Sequence, residues 1–193
     1  MDPRLEHYIE LVRRIVAQRW SDAGTVHRVR DAARELVARP LVLDPAARAM
    51  PAHGYGRNLL WRDPDHGFVV IAMAWPPGLC GAPHDHGTWG VVAVVEGEVT
   101  ITDYERDDDG RDGDRAVLRE VGTTVAGPGS VATVLPPHRD FHRVGNASPT
   151  AGALSLHTYG ADVRHCHVFD ADSSRLISMR LDYTSVLPGT SAC

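Results

Sequence analysis

The spacing of apolar residues changes once along the chain, near Tyr55. Before it, Leu5, Ile9, Val12 and Ile15 recur every three or four positions, as on a helix with one buried face. Asp2-Pro3 ahead of them suits an N-cap followed by proline in the first turn, where a missing N–H costs nothing. A second helix should open at Ser21-Asp22 and bury Val26, Val29, Leu36 and Val37. It should stop near Arg39, since Pro40 disfavours a helical residue before it.

After Tyr55 the texture is that of strands. RNLLWR, GFVVIAMAW, WGVVAVVEGEVTITDYE, AVLREV, SVATVL, FHRV and ALSLHTY are short β-rich runs cut by Gly, Pro and Asp. Such punctuation predicts a mainly β, antiparallel sandwich or barrel rather than βαβ units. Arg106–Arg115, RDDDGRDGDR, is expected to be an exposed hairpin loop, because a calcium loop would need a helix and a terminal bidentate Glu. Beyond Tyr159, RHCHVFDADSSRLISMRLDYT reads as strand, turn at Asp170–Ser173, and strand, with SVLPGTSAC as a frayed tail.

Composition narrows the partners. The chain has 193 residues, 20 basic and 25 acidic, for a formal charge of −5, with no Lys/Arg run. That gives no electrostatic footprint for nucleic acid. No apolar run approaches the ~20 residues of a membrane span. The N-terminus MDPRLEHYIEL lacks a signal-peptide core. Cys80, Cys166 and Cys193 are odd in number and scattered, so no disulfide framework is implied. The expectation is a soluble cytoplasmic protein whose partners are small molecules.

The eleven histidines matter only where they cluster. In an extended segment His84 and His86 would share a face, and paired neutral imidazoles are common ligands for iron, zinc, copper and nickel. A useful site needs a third ligand. His142 and His138 are the candidates downstream, and His165-Cys166-His167 repeats the H-x-H spacing with Cys166 on the opposite side. Ser155, His157 and Tyr159 also alternate, so a strand would put all three on one face and Leu154, Leu156 and Thr158 on the other. Three inward polar groups must satisfy one another or a ligand. Arg57 has a planar fork that can grip a carboxylate, whether that of a ligand or, on the surface, that of Asp63.

The run Gly78-x5-His84-x-His86, with Gly97, Gly122, Pro128 and His142-x3-Asn146 after it, resembles the cupin superfamily. The resemblance implies a double-stranded β-helix barrel over 41–193, with 1–40 as a helical pair packed on it. It also selects His142 as third metal ligand, since Arg143, Val144 and Asn146 follow in register. Two positions depart from the cupin pattern. Its usual Glu ligand is replaced by Gly90 or Val91, and Ser130 stands where glycine is common. Three neutral ligands leave the metal's charge uncompensated, which favours an anionic donor such as a thiolate.

Tyr55-Gly56-Arg57-Asn58-Leu59, HDHGTWG, FHRVGN and Ser155-Leu156-His157-Thr158-Tyr159 together resemble the cysteine dioxygenase family. That resemblance implies an iron(II)-dependent thiol dioxygenase in which His84, His86 and His142 hold Fe(2+). The substrate thiolate and dioxygen bind the iron, an amine can fill a further position, and both oxygens end on sulfur. Tyr159, His157 and Ser155 form the relay, and Arg57 anchors the substrate carboxylate. Arginine at position 57 marks the cysteine-using branch, so L-cysteine to cysteine sulfinate is the first substrate expectation. Thr88-Trp89-Gly90 and Tyr159-Gly160-Ala161 look more like the 3-mercaptopropionate branch, and mercaptosuccinate is a third candidate. Mammalian-type members crosslink a cysteine to the relay tyrosine; seven residues after His84 this chain has Val91, so Tyr159 is expected to be unmodified. The competing expectations are another oxidative rearrangement of a sulfur compound on the same centre, or a non-catalytic, ligand-sensing cupin.

Overall fold

The computed structural model describes residues 1–187. Helices α1 (Pro3–Ala17) and α2 (Asp22–Val37) form where the apolar period requires. Each is capped as the sequence suggests, Asp2 accepting from the Arg4 amide and Ser21 from the Gly24 amide. The second ends at Val37, two residues before the expected stop.

Eleven strands follow among the described residues: β1 (Gly56–Arg62), β2 (Val69–Trp75), β3 (Gly90–Glu96), β4 (Val99–Arg106), β5 (Leu118–Ala126), β6 (Val131–Val134), β7 (His142–Asn146), β8 (Ala153–Tyr159), β9 (His165–Asp170), β10 (Arg175–Arg180) and β11 (Ser185–Val186). One sheet has the order β11-β1-β2-β8-β3-β6; facing it are the ladders β5-β4-β7 and β10-β9. His84 bridges both to His142 on β7 and to Val168 on β9, so the segment before it stitches the two small ladders together. The fold is the mainly β cupin fold, built as two facing sheets rather than one continuously bonded barrel.

Layering explains the sequence texture. The six-stranded sheet is covered on both faces, so β2 and β8 are buried throughout and read as unbroken apolar runs. Val70, Ala72 and Ala74 of β2, with Leu154 and Leu156 of β8, pack under the helices. Val69, Ile71, Met73 and Trp75 face the second sheet. Helix α1 is tied to β8 by a buried hydrogen bond of 2.7 Å between the hydroxyls of Tyr8 and Thr158. Thr158 therefore points away from its neighbours His157 and Tyr159, as alternation demands.

Residues 107–117 form the expected loop between β4 and β5. The tail departs from expectation. Ser185 and Val186 run parallel to β1, opposite Asn58 and Leu59, because β1 otherwise offers an unpaired edge there. The last six residues of the expected tail, 188–193, lie outside the described residues.

Candidate active site

HDH is not inside a strand; it is the turn by which the chain leaves its bridge with β7. His84 and His142 exchange backbone hydrogen bonds at 3.0 and 3.1 Å. The carboxylate of Asp140 then accepts from the amides of His86 and Gly87, at 2.9 and 3.1 Å. Gly87 takes the left-handed conformation, φ +63°, that lets the chain turn around that carboxylate.

The turn delivers three imidazoles to one point. Ring centroids of His84, His86 and His142 lie 4.7–4.9 Å apart, and one ligand atom from each falls within 4.8 Å of the others. Tautomers follow from the partners. The Nδ1 of His84 faces the carbonyl of Ala82 at 2.9 Å, and that of His86 faces the carbonyl of Asp140 at 3.2 Å. A carbonyl only accepts, so each Nδ1 carries a proton, which leaves Nε2 as the ligand atom of the neutral ring. The Nε2 atoms of His86 and His142 are buried without a hydrogen-bond partner. Burial, then the neighbouring imidazoles, lowers the His84 pKa to about 4 and holds His142 well below the usual histidine range. Three imidazoles with converging ring nitrogens suit a divalent transition metal, and the carbonyls on Nδ1 of His84 and His86 are the usual orienting partners.

Beside this cluster Ser155, His157 and Tyr159 share the inward face of β8. Ser155 Oγ lies 2.8 Å from His157 Nε2, and His157 Nδ1 lies 2.9 Å from the Tyr159 hydroxyl. The Tyr159 ring stacks on His86, with centroids 5.0 Å apart. Trp75 of β2 donates its indole N–H to Ser155 Oγ at 2.8 Å. Burial keeps His157 neutral and pushes the Tyr159 hydroxyl pKa upward, so the tyrosine keeps its proton. Ser155 is fully buried and accepts from the Trp75 indole, so its own hydrogen is spent by donating to His157 Nε2. His157 Nδ1–H then donates to Tyr159, whose own O–H is the one proton left over, next to the histidine cluster. The chain of donors thus runs Trp75, Ser155, His157, Tyr159 and ends in the site.

Arg57 is buried, and its alternative partner is taken: Asp63 pairs with Arg13 at 2.8 Å. Arg57 Nη2 donates to the Val163 carbonyl at 2.9 Å, while Nη1 is buried with no partner. A buried guanidinium with an unspent donor is costly unless an anion arrives.

The rival groups separate from the site. His138, His165 and His167 are exposed, and His167 is held by Asp85 at 2.8 Å. Cys166 is buried and points opposite to both flanking histidines, with burial raising its pKa to about 11. Cys80 is exposed. Asp140 and Trp75 are the residues the sequence did not single out. Asp140 stands two residues before His142, but nothing local says that it braces His86. Trp75 needs the β2–β8 register, Met73 opposite Ser155 and Trp75 opposite Ala153, before its reach is visible.

Residues 7–172 match the family described as cysteine dioxygenase type I. The chain belongs to that family. Membership makes it an oxidoreductase of the dioxygenase class. Looser likenesses to solved structures accompany the match. An oxalate oxidase aligns at TM-score 0.40 and 19% identity over 55% of this chain and 50% of its own, so this chain spans half that protein's length. An RmlC-like cupin protein from Ralstonia eutropha JMP134 aligns at 0.46 and 16%, over 74% and 80%. A hydroquinone 1,2-dioxygenase in complex with Cd2+ and 4-hydroxybenzonitrile aligns at 0.42 and 12%, over 62% and 77%.

Proposed function

We propose that the protein is an iron(II)-dependent thiol dioxygenase that converts a small carboxylated thiol to its sulfinate, with L-cysteine as the first substrate. The observation that carries this is the three-histidine cluster with Tyr159 stacked on it, within range of the charge of Arg57, whose Nη1 has no partner. His84, His86 and His142 would hold the metal, which when bound supplies a redox-active centre for thiolate and dioxygen together. The family and the donor set support a metal; iron is our assignment.

The chain's own groups then do three things. Arg57 pairs with the substrate carboxylate through Nη1, converting a buried, bare charge into a charge-assisted hydrogen bond. That fixes the far end of the substrate and removes most of the freedom its sulfur would otherwise have, a proximity effect. Tyr159 offers its proton to negative charge growing on oxygen or sulfur, held in place by the donor chain behind it.

One observation favours 3-mercaptopropionate as a second reading. Trp89 and Gly160, two of the branch markers, are a single packing unit: a Cβ on Gly160 would collide with the Trp89 indole, and the Gly160 amide donates to the Trp89 carbonyl at 3.0 Å. Oxygen uptake by the iron-loaded protein with cysteine, 3-mercaptopropionate and mercaptosuccinate, before and after Arg57→Gln, tests the proposal. Uptake with at least one acid, weakened by the substitution, supports it. No uptake with any of the three refutes it, and unchanged kinetics would remove Arg57 from the site.

A further inference from the structure

The family match ends at residue 172, yet the chain beyond it returns to Arg57. Thr184 accepts from the Arg57 amide through Oγ1 at 3.0 Å and donates its own amide to the Arg57 carbonyl at 2.7 Å. This brings the ring of Tyr183 under the guanidinium, with Arg57 Cζ 4.8 Å from the ring centroid. The ring is itself fixed. Its hydroxyl donates to Asp162 Oδ1 at 2.5 Å, and Asp162 Oδ2 is taken by Arg62 at 2.5 Å. Arg164 lies over the same ring at 4.9 Å.

We propose that Tyr183 is a positioning and specificity-determining residue that holds Arg57 oriented and unneutralised for a substrate carboxylate. The proposal rests on the reading of Arg57 as anchor and adds what makes the anchor usable. A buried guanidinium needs electrostatic compensation. A carboxylate neighbour would supply it but would also spend the charge meant for substrate. An aromatic face stabilises the cation without offering an acceptor for Nη1. The Val163 carbonyl takes Nη2, the Tyr183 face takes the plane, and Nη1 is left over. Asp162, which accepts from the Tyr183 hydroxyl, has both oxygens engaged.

The test compares wild type, Tyr183→Leu, Tyr183→Phe and Arg57→Gln, all iron-loaded and anaerobic. Calorimetry gives dissociation constants for 3-mercaptopropionate and for 2-mercaptoethanol, a thiol without a carboxylate. Losing the aromatic face should weaken 3-mercaptopropionate about tenfold in Tyr183→Leu and leave 2-mercaptoethanol within about twofold. Tyr183→Phe keeps the face and should recover most of the affinity. The proposal is overturned if Tyr183→Leu binds 3-mercaptopropionate as wild type does. Equal weakening of both thiols, or Phe no better than Leu, also overturns it, since a merely structural role would produce either. Arg57→Gln separates the two layers. If it also leaves 3-mercaptopropionate affinity unchanged, the anchor reading itself falls; if it weakens binding while Tyr183→Leu does not, only the role of Tyr183 falls.

Discussion

Gly90 and Tyr159 face each other across the β3–β8 ladder, and a Cβ at position 90 would stand 2.7 Å from two carbons of the tyrosine ring. The absent Glu of the wider cupin pattern is therefore a consequence of space. A side chain here and the Tyr159 ring beside His86 cannot coexist. The position opposite the tyrosine is Gly90, not Val91, whose side chain packs under the helices. No thioether can form from either residue. Gly90→Ala should cost about 1–3 kcal/mol through overpacking, read as a fall of roughly 2–4 °C in melting temperature per kcal/mol. Gly90→Glu should expel the Tyr159 ring and abolish oxygen uptake, even if metal is still retained on dialysis.

The Asp140 carboxylate braces the backbone of His86 and Gly87, and through it would orient His86 as a metal ligand. Asp140→Ala should lower metal affinity by about 10–100-fold, as loss of an orienting partner typically does. Competition with a chelator measures this.

Tyr159→Phe removes the one proton that the donor chain presents to the site. Its kcat should fall about a hundredfold with KM little changed, the pattern of an interaction made mainly in the transition state. Trp75→Phe leaves Tyr159 in place but frees the chain to reverse, with Ser155 accepting from His157 and Tyr159 donating to His157. A smaller kcat loss is expected, accompanied by an altered tautomer of His157 in nitrogen NMR of the metal-free protein.

Acid should destabilise the metal-free protein. His84, His142 and His157 all have folded pKa values below their unfolded value of about 6.5. Between that value and the folded one, the unfolded chain binds more protons, so stability falls as pH falls. Stability is full above about pH 7 and declines through the His84 value of about 4. Thermal melts across that range check the sign. A melting temperature that rose on acidification would contradict the buried, neutral cluster.

Much of this was legible in local pattern. The two helices, the β texture and the alternation of Ser155, His157 and Tyr159 depend on periods of 3.6 and 2 that a sequence displays directly, whereas the H-x-H pair converges through a turn and not through strand alternation. What pattern could not supply was register and return. Trp75 meets Ser155, and Gly90 meets Tyr159, only after strands are paired. The β11 contact with β1 sits in a stretch whose composition reads as a loose tail; what holds Ser185–Val186 is the free edge of β1, a property of another element. That Asp63 is not the partner of Arg57 became visible only with Arg13 paired to it.

The most direct test of the account is turnover of the iron-loaded protein under ¹⁸O-labelled dioxygen, with the thiol it oxidises fastest and mass spectrometry of the product. The account predicts a sulfinate carrying two labelled oxygens, with one dioxygen consumed per thiol. A disulfide, a product with one labelled oxygen, or no product from a protein that retains its iron would contradict it.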